Sequence, residues 1–139
     1  FNGYLTVEIT VQNIGTGLMI TQGPAPGFVY QENETYKSRG YPEISGAWRV
    51  GVEVSPPGSS LGVDHPYRWG FPDALEPGQS VTIVGKIRLS QVQERIAWAG
   101  LVQEQVAWTT AQAGTNQIQF APIRARMYLP DVFKNSGGW

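Results

Sequence analysis

Hydrophobic and polar residues alternate along several short stretches of the chain, most clearly in the first one. Residues 4–12 have the sequence YLTVEITVQ. Because the side chains of a β-strand point alternately to opposite faces, this period of two predicts a strand with one buried face. The predicted buried face carries Leu5, Val7, Ile9 and Val11.

The same alternation returns in residues 47–54 and 81–89. Shorter apolar stretches at residues 18–20, 28–30, 96–102, 106–108, 116–120 and 123–129 predict further strands, and glycine and proline clusters separate them. Gly85 lies on the inward face of its stretch, which predicts a bulge or a close approach of another strand. No stretch has a convincing helical period. We therefore predict a single all-β domain over residues 1–139, an immunoglobulin-like antiparallel β-sandwich of about seven to nine strands.

Composition narrows the class of protein. A hydrophobic content of 41% excludes a disordered chain, and a net charge of −1 gives no electrostatic footprint for nucleic acid or an anionic membrane. The absence of cysteine excludes disulfides and thiolate catalysis. No apolar run is long enough for membrane insertion. The chain begins at Phe1, so we expect a processed mature form or a piece of a longer protein.

Two passages resemble known bacterial modules. VEITVQNIGTG (residues 7–17) and LEPGQSVTIVGKIRL (residues 75–89) resemble extracellular β-sandwich domains of the CARDB and immunoglobulin-like type. WAGLVQEQVAW (residues 98–108) and RMYLPDVFKN (residues 126–135) are similar to segments of secreted surface proteins of Chloroflexi-type bacteria. The resemblance implies a sandwich fold, an extracellular or cell-surface location, and a role as a spacer, adhesive unit or accessory domain. It implies no shared catalytic residues.

Residues that could carry catalysis are few. The single histidine, His65, has Asp64 beside it in sequence, where the carboxylate tends to point away from the imidazole. Two pairs of neighbouring acids lie in polar loops and are typical of a solvated surface: Glu32 with Glu34, and Asp73 with Glu76. No run of acidic residues has the spacing of a calcium loop. We predict that the protein is not an enzyme and has no metal site and no cofactor.

Aromatic residues offer one candidate binding surface. Tyr67, Trp69 and Phe71 alternate along a proline-rich loop. They could form a platform on which a sugar ring stacks, or they could cap one end of the sandwich as a small cluster. Trp48, Trp98 and Trp108 lie in apolar stretches and are predicted to be core. Asn33 begins a tripeptide that matches a glycosylation acceptor.

The two ends of the chain are the other candidate interaction site. Strands predicted at residues 1–12 and 123–133 could pair with another chain, since an unpaired strand edge is a template for a second strand. The alternative is that both complete the sheets of this domain. The candidate inter-subunit residues are Leu5, Val7, Ile9, Val11, Met127, Leu129, Val132 and Phe133.

We therefore predict a non-catalytic extracellular structural or interaction subunit that polymerises through β-strand contacts into a cell-surface fibre or pilus-like filament. Its expected partner is another copy or another surface protein, with no nucleic acid and no membrane insertion. The alternative is a carbohydrate-binding or spacer module of a larger secreted enzyme, with a polysaccharide as partner.

Overall fold

The structure is a computed structural model that describes residues 3–56, 64–90, 94–119 and 125–135, and for the last two strands it describes the backbone. Within these residues there are six long strands, two strands of only three residues, and no helix. The strands are β1 (Gly3–Asn13), β2 (Val29–Gln31), β3 (Trp48–Ser55), β4 (Tyr67–Trp69), β5 (Ser80–Leu89), β6 (Glu94–Gln103), β7 (Ala107–Gln119) and β8 (Ala125–Asn135).

The strands form two four-stranded sheets, with the orders β2-β5-β1-β8 and β4-β3-β6-β7. Pairing is mostly antiparallel, as in β1–β5, β3–β6 and β6–β7. Two pairs are parallel, β1–β8 and β2–β5. The predicted all-β class is confirmed.

Both sheets run between the same two ends of the molecule. At the end that we call upper, β1 and β6 end, β3, β5 and β7 begin, and a backbone bridge joins Thr21 to Trp48. At the opposite, lower end, β5 and β7 end and β8 begins. Glu32 links the two sheets there, because its carboxylate binds both Ser90, after β5, and Arg95, in β6.

The inward faces of the two sheets form one apolar core. In the first sheet the predicted face of β1 is buried, with no residue of it more than 1% exposed: Leu5, Val7, Ile9 and Val11. The second sheet contributes Val50, Val52, Ala97, Ala99 and Leu101 to the same cluster. Burying a side chain of this size stabilises the fold by about 1.5–3 kcal/mol, so the alternating pattern of β1 is a principal source of stability.

Gly85 lies where a side chain of the second sheet packs directly against β5. A Cβ atom on Gly85 would lie 2.3 Å from the indole ring of Trp69 in β4. The β1–β5 pairing runs through Gly85 without a shift in register. Of the two predicted explanations for this glycine, the close approach is therefore correct and the bulge is wrong, although what approaches is an aromatic ring.

Aromatic rings close the side of the molecule where β2 and β4 lie at the sheet edges. Tyr30 makes edge-to-face contacts with Tyr67 and Trp69, at centroid distances of 5.4 and 5.3 Å. Its hydroxyl donates a hydrogen bond to the backbone oxygen of Arg68, at 2.8 Å. The Tyr30 side chain thus joins an edge of one sheet to an edge of the other.

The connection from β2 to β3 covers part of the outer face of the second sheet. Its backbone is tied to that sheet by hydrogen bonds from Tyr36 N to Pro66 O and from Gly46 N to Glu104 O, each 2.9 Å long. Arg49, on the outer face of β3, is consequently fully buried. The second sheet is therefore packed on both of its faces in this region.

Candidate functional site

The predicted aromatic platform is wrong. Tyr67, Trp69 and Phe71 are 4%, 1% and 4% exposed and belong to the core. These residues alternate because residues 67–69 form strand β4, which pairs with β3. The side chains of Tyr67, Trp69 and Phe71 all point into the core. The Trp69 indole nitrogen also donates a hydrogen bond to Phe28 O, at 2.8 Å. No face of these rings is left for a sugar.

The first predicted inter-subunit strand lies inside its sheet. β1 is paired along its length with β5 on one side and with β8 on the other. Its backbone groups are therefore used within this chain, and its predicted contact residues, Leu5, Val7, Ile9 and Val11, form part of the core. In the structure β1 has no free edge at which another chain could add a strand.

The second predicted inter-subunit strand has a different position. β8 contains Met127, Leu129, Val132 and Phe133 and occupies the end of the β2-β5-β1-β8 order. It runs parallel to β1, from Leu5 opposite Ala125 to Asn13 opposite Asn135, and the register shifts between Glu8 and Thr10. Among the described strands it makes a backbone ladder with β1 alone, so it is the edge strand of this sheet.

Of the candidate catalytic residues, Glu32, Glu34 and His65 are partly or fully buried, whereas Asp64, Asp73 and Glu76 are exposed. Glu32 binds Ser90 and Arg95, and Glu34 forms a 3.0 Å ion pair with Arg39. His65 is 2% exposed. In the described part of the chain, no three histidine, aspartate or glutamate residues are close enough together to hold a metal ion.

A buried charge cluster is the polar feature that the sequence did not reveal. Glu104, in the turn between β6 and β7, is 2% exposed and lies between two arginines. Its carboxylate accepts hydrogen bonds from Arg49 Nε at 2.6 Å and from Arg68 Nη1 at 2.5 Å. The guanidinium carbons of both arginines also lie over the ring of Tyr36, at 4.7 and 4.1 Å from its centroid. One carboxylate and one aromatic ring are thus shared by two buried cations.

Backbone oxygens satisfy other donors of the cluster. Arg49 Nη1 donates to the backbone oxygens of Gly23 and Tyr41, at 3.1 and 3.0 Å. Arg68 donates to the backbone oxygens of Asp64 and His65. Burial lowers the pKa of Arg49, and the charge of Glu104 opposes this shift. The cluster therefore fastens distant loops to the second sheet, which is a structural role.

The signal for this cluster was indirect. Residues 96–102 are apolar on both faces, which is typical of a strand that is covered from both sides. Nothing in the local sequence identified Tyr36 or Glu104 as the covering partners, because they lie 13 residues before and 55 residues after Arg49. An open pocket of about 330 Å³ lies beside the cluster and is lined by Tyr36, Glu43, Arg68 and residues 102–106.

Exposed apolar side chains gather at the upper end. Ile14 and Leu18 follow β1, Ile20 precedes the bridge to Trp48, and Val106 precedes β7. The large hydrophobic residues that are exposed in the described chain are Ile14, Leu18, Ile20, Ile44 and Val106, each 49–59% accessible. This end is therefore less polar than loop tips usually are.

Comparisons with protein-family models, curated proteins and solved structures found no match to the chain. Within the residues that the structure describes, there is also no helix long and apolar enough to cross a membrane.

Proposed function

We propose that the chain is a non-catalytic structural and interaction subunit, exported to the cell surface, that self-associates through β-strand contacts into a fibre or pilus-like filament. The observation that carries this proposal is the position of β8. An 11-residue strand near the C-terminal end of the sequence forms one edge of a sheet, in parallel pairing with β1. Such an edge is the geometry through which chains exchange or add strands.

The strand order supports an immunoglobulin-like sandwich as the basis of this subunit. The order β4-β3-β6-β7 corresponds to C′-C-F-G of that fold, and β5-β1 corresponds to E-B. Two departures are informative. The strand beside β5 is parallel to it, and the place of strand A beside β1 is occupied by β8, which comes from the other end of the sequence. The edge that an N-terminal strand fills in that fold is here filled by a C-terminal one.

The contacts of the acidic residues support a non-catalytic role. Glu32, which is partly buried, and Glu104, which is buried, both bind arginines through their carboxylates, and these contacts hold loops and sheets together. A glycosidase needs a pair of carboxylates that face its substrate. The extracellular location rests on the sequence resemblance of residues 7–17 and 75–89 to exported bacterial modules, which no family model matches.

The alternative, a carbohydrate-binding or spacer module of a secreted enzyme, has lost its main support. The three rings on which a sugar would stack lie in the core. A Trp69→Ala variant would now test the fold instead of ligand binding, so binding of the intact chain to a panel of polysaccharides is the appropriate measurement for this alternative.

Size-exclusion chromatography with light scattering, together with negative-stain electron microscopy, tests the proposal over a range of concentrations. We expect association that rises with concentration and filaments in the micrographs. A synthetic peptide of residues 125–135, added during refolding, should shorten these assemblies by occupying the edge of β1, and a scrambled peptide should not. Monodisperse monomers at every concentration would refute the proposal.

A further inference from the structure

We propose that β8 is exchanged reciprocally between two copies of the chain, so that the strand contact is a closed, two-fold one. This inference rests on the proposed function, since it specifies the partner and symmetry of the same sheet edge. It also assigns the exchange to β8 and leaves β1 in its own subunit.

The first step of the argument is which terminal strand can leave. β1 is paired with β5 from Gly3 to Gln12, and it is paired with β8 as well. Withdrawing β1 would break both ladders and empty the centre of the core. Withdrawing β8 breaks one described ladder and the contacts of β8 with β7, and it leaves the β1–β5 pair intact. β8 is therefore the strand whose departure disturbs the described fold less.

The second step is what β8 would bind after leaving. Its departure uncovers the edge of β1 from Leu5 to Asn13, and the same edge is uncovered in a second copy. Because the sequences are identical, the β8 of one copy can pair with the β1 of the other in the same register. The exchanged contacts equal those within one chain, which is why exchange of an identical element is a low-cost route to a dimer.

The third step is the length of the connection. β7 ends at Gln119, opposite Glu94, and β8 begins at Ala125, opposite Leu5, both at the lower end. The six Cα–Cα steps between them span at most roughly 20 Å when fully extended. An exchanged β8 can therefore reach another copy only if the two lower ends face each other at close range.

This restriction sets the symmetry. Each copy has its connection and the start of its acceptor edge at the same lower end, so an approach that lets one copy donate also lets the other donate. A two-fold axis between the lower ends satisfies both exchanges, and the contact is then closed. The exchange consequently makes a closed pair of chains the repeating unit of the proposed filament.

Engineered cysteines can detect the exchange directly, because the natural chain contains none. Gln12 and Lys134 are opposite one another in the β1–β8 pair. Adjacent strands are about 4.8 Å apart, which is within reach of a disulfide. Gln12→Cys and Lys134→Cys are made as two separate variants, mixed in denaturant, refolded together and oxidised. The products are separated on a non-reducing gel and identified by mass spectrometry.

We expect a disulfide that joins the Gln12→Cys chain to the Lys134→Cys chain, in up to about half of the chains if pairing is random. The double variant Q12C/K134C should give one covalent dimer band. No cross-link in the mixture, with only an internal bond in the double variant, would show that β8 stays in its own chain and would overturn the proposal. A ladder of larger products would overturn the two-fold closure.

Thr10 and Thr82 provide the matched control, since they are opposite one another in the β1–β5 pair and stay in one chain in either case. A mixture of Thr10→Cys and Thr82→Cys should give no intermolecular bond. Glu8→Cys with Tyr128→Cys repeats the test if the first pair folds poorly. Oligomers without exchange cross-links would refute the exchange and leave the proposed function standing. Cross-linked dimers without filaments would support the exchange and remove the filament.

Discussion

Removing the charge of Glu104 should be the most damaging single polar substitution among the described residues. In Glu104→Gln the side chain keeps nearly the same volume but loses its negative charge. The two guanidinium groups of Arg49 and Arg68 are then left without a charge that balances theirs. The Arg49 side chain is completely inaccessible to water and that of Arg68 is 6% accessible, so solvent cannot replace the lost carboxylate.

The expected magnitude follows from this burial. Breaking a buried ion pair by removing one partner costs about 3–5 kcal/mol, because an uncompensated charge remains inside the protein. A domain of this size has a total stability of about 5–15 kcal/mol. We therefore expect E104Q to lose a large part of its free energy of unfolding, measured by urea denaturation followed by tryptophan fluorescence.

Glu34→Gln is the matched control. It makes the same chemical change in the Glu34–Arg39 pair, whose side chains are 28% and 35% accessible. A pair at this exposure contributes about 0–1 kcal/mol. If E104Q costs no more than E34Q, the two arginines are not held by Glu104 as described, and the reasoning about the cluster is refuted.

Three further predictions concern packing and titration. Gly85→Ala should lower the free energy of unfolding by about 1–3 kcal/mol, because its Cβ would overlap the Trp69 ring; an unchanged urea midpoint would contradict this contact. Burial raises the pKa of Glu32, but the hydrogen bonds from Ser90, together with the hydrogen bond and charge of Arg95, outweigh this effect, and the pKa lies below its usual value of 4.5. The stability that Glu32 contributes is therefore present above pH 4.5 and lost as the pH falls through its folded pKa, and Glu32→Gln should remove this acid dependence in denaturation curves measured from pH 3 to 6. Burial raises the pKa of Tyr30 from 10.0 to about 12, so its stabilisation is complete below pH 10.0 and lost as the pH rises through about 12; absorbance at the phenolate band should show a late step that Tyr30→Phe lacks.

Strands with one buried face could be predicted from sequence almost to the residue. Residues 4–12 and 81–89 were predicted and the structure has Gly3–Asn13 and Ser80–Leu89. The signal was strong because each strand faces the core on one side only. A strand with a polar middle was harder to predict: residues 107–108 and 116–119, which belong to two separately predicted strands, are parts of the single strand β7.

Two features misled the prediction for physical reasons. Pro66 and Pro72 flank β4 and gave it the composition of a loop, although its pairing with β3 makes it a strand. Pro130 lies inside β8, where a missing N–H usually ends a strand. It is tolerated there because β8 is an edge strand, and Pro130 falls within the irregular part of its register with β1. Partners distant in sequence, such as Tyr36 and Glu104, have no local signal at all.

The parallel pairing of β1 with β8 also has a consequence for the order of events during synthesis. β1 is translated before β8. Its edge can therefore be covered by its own chain only after residues 125–135 have been made. At about 5–20 residues per second, that interval is roughly 6–24 s. From the time that residues 80–89 have been made, a nascent β1–β5 pair presents an open edge to any neighbouring nascent chain on the same message. Ribosome spacing and translation speed would therefore influence whether a chain closes on itself or on its neighbour.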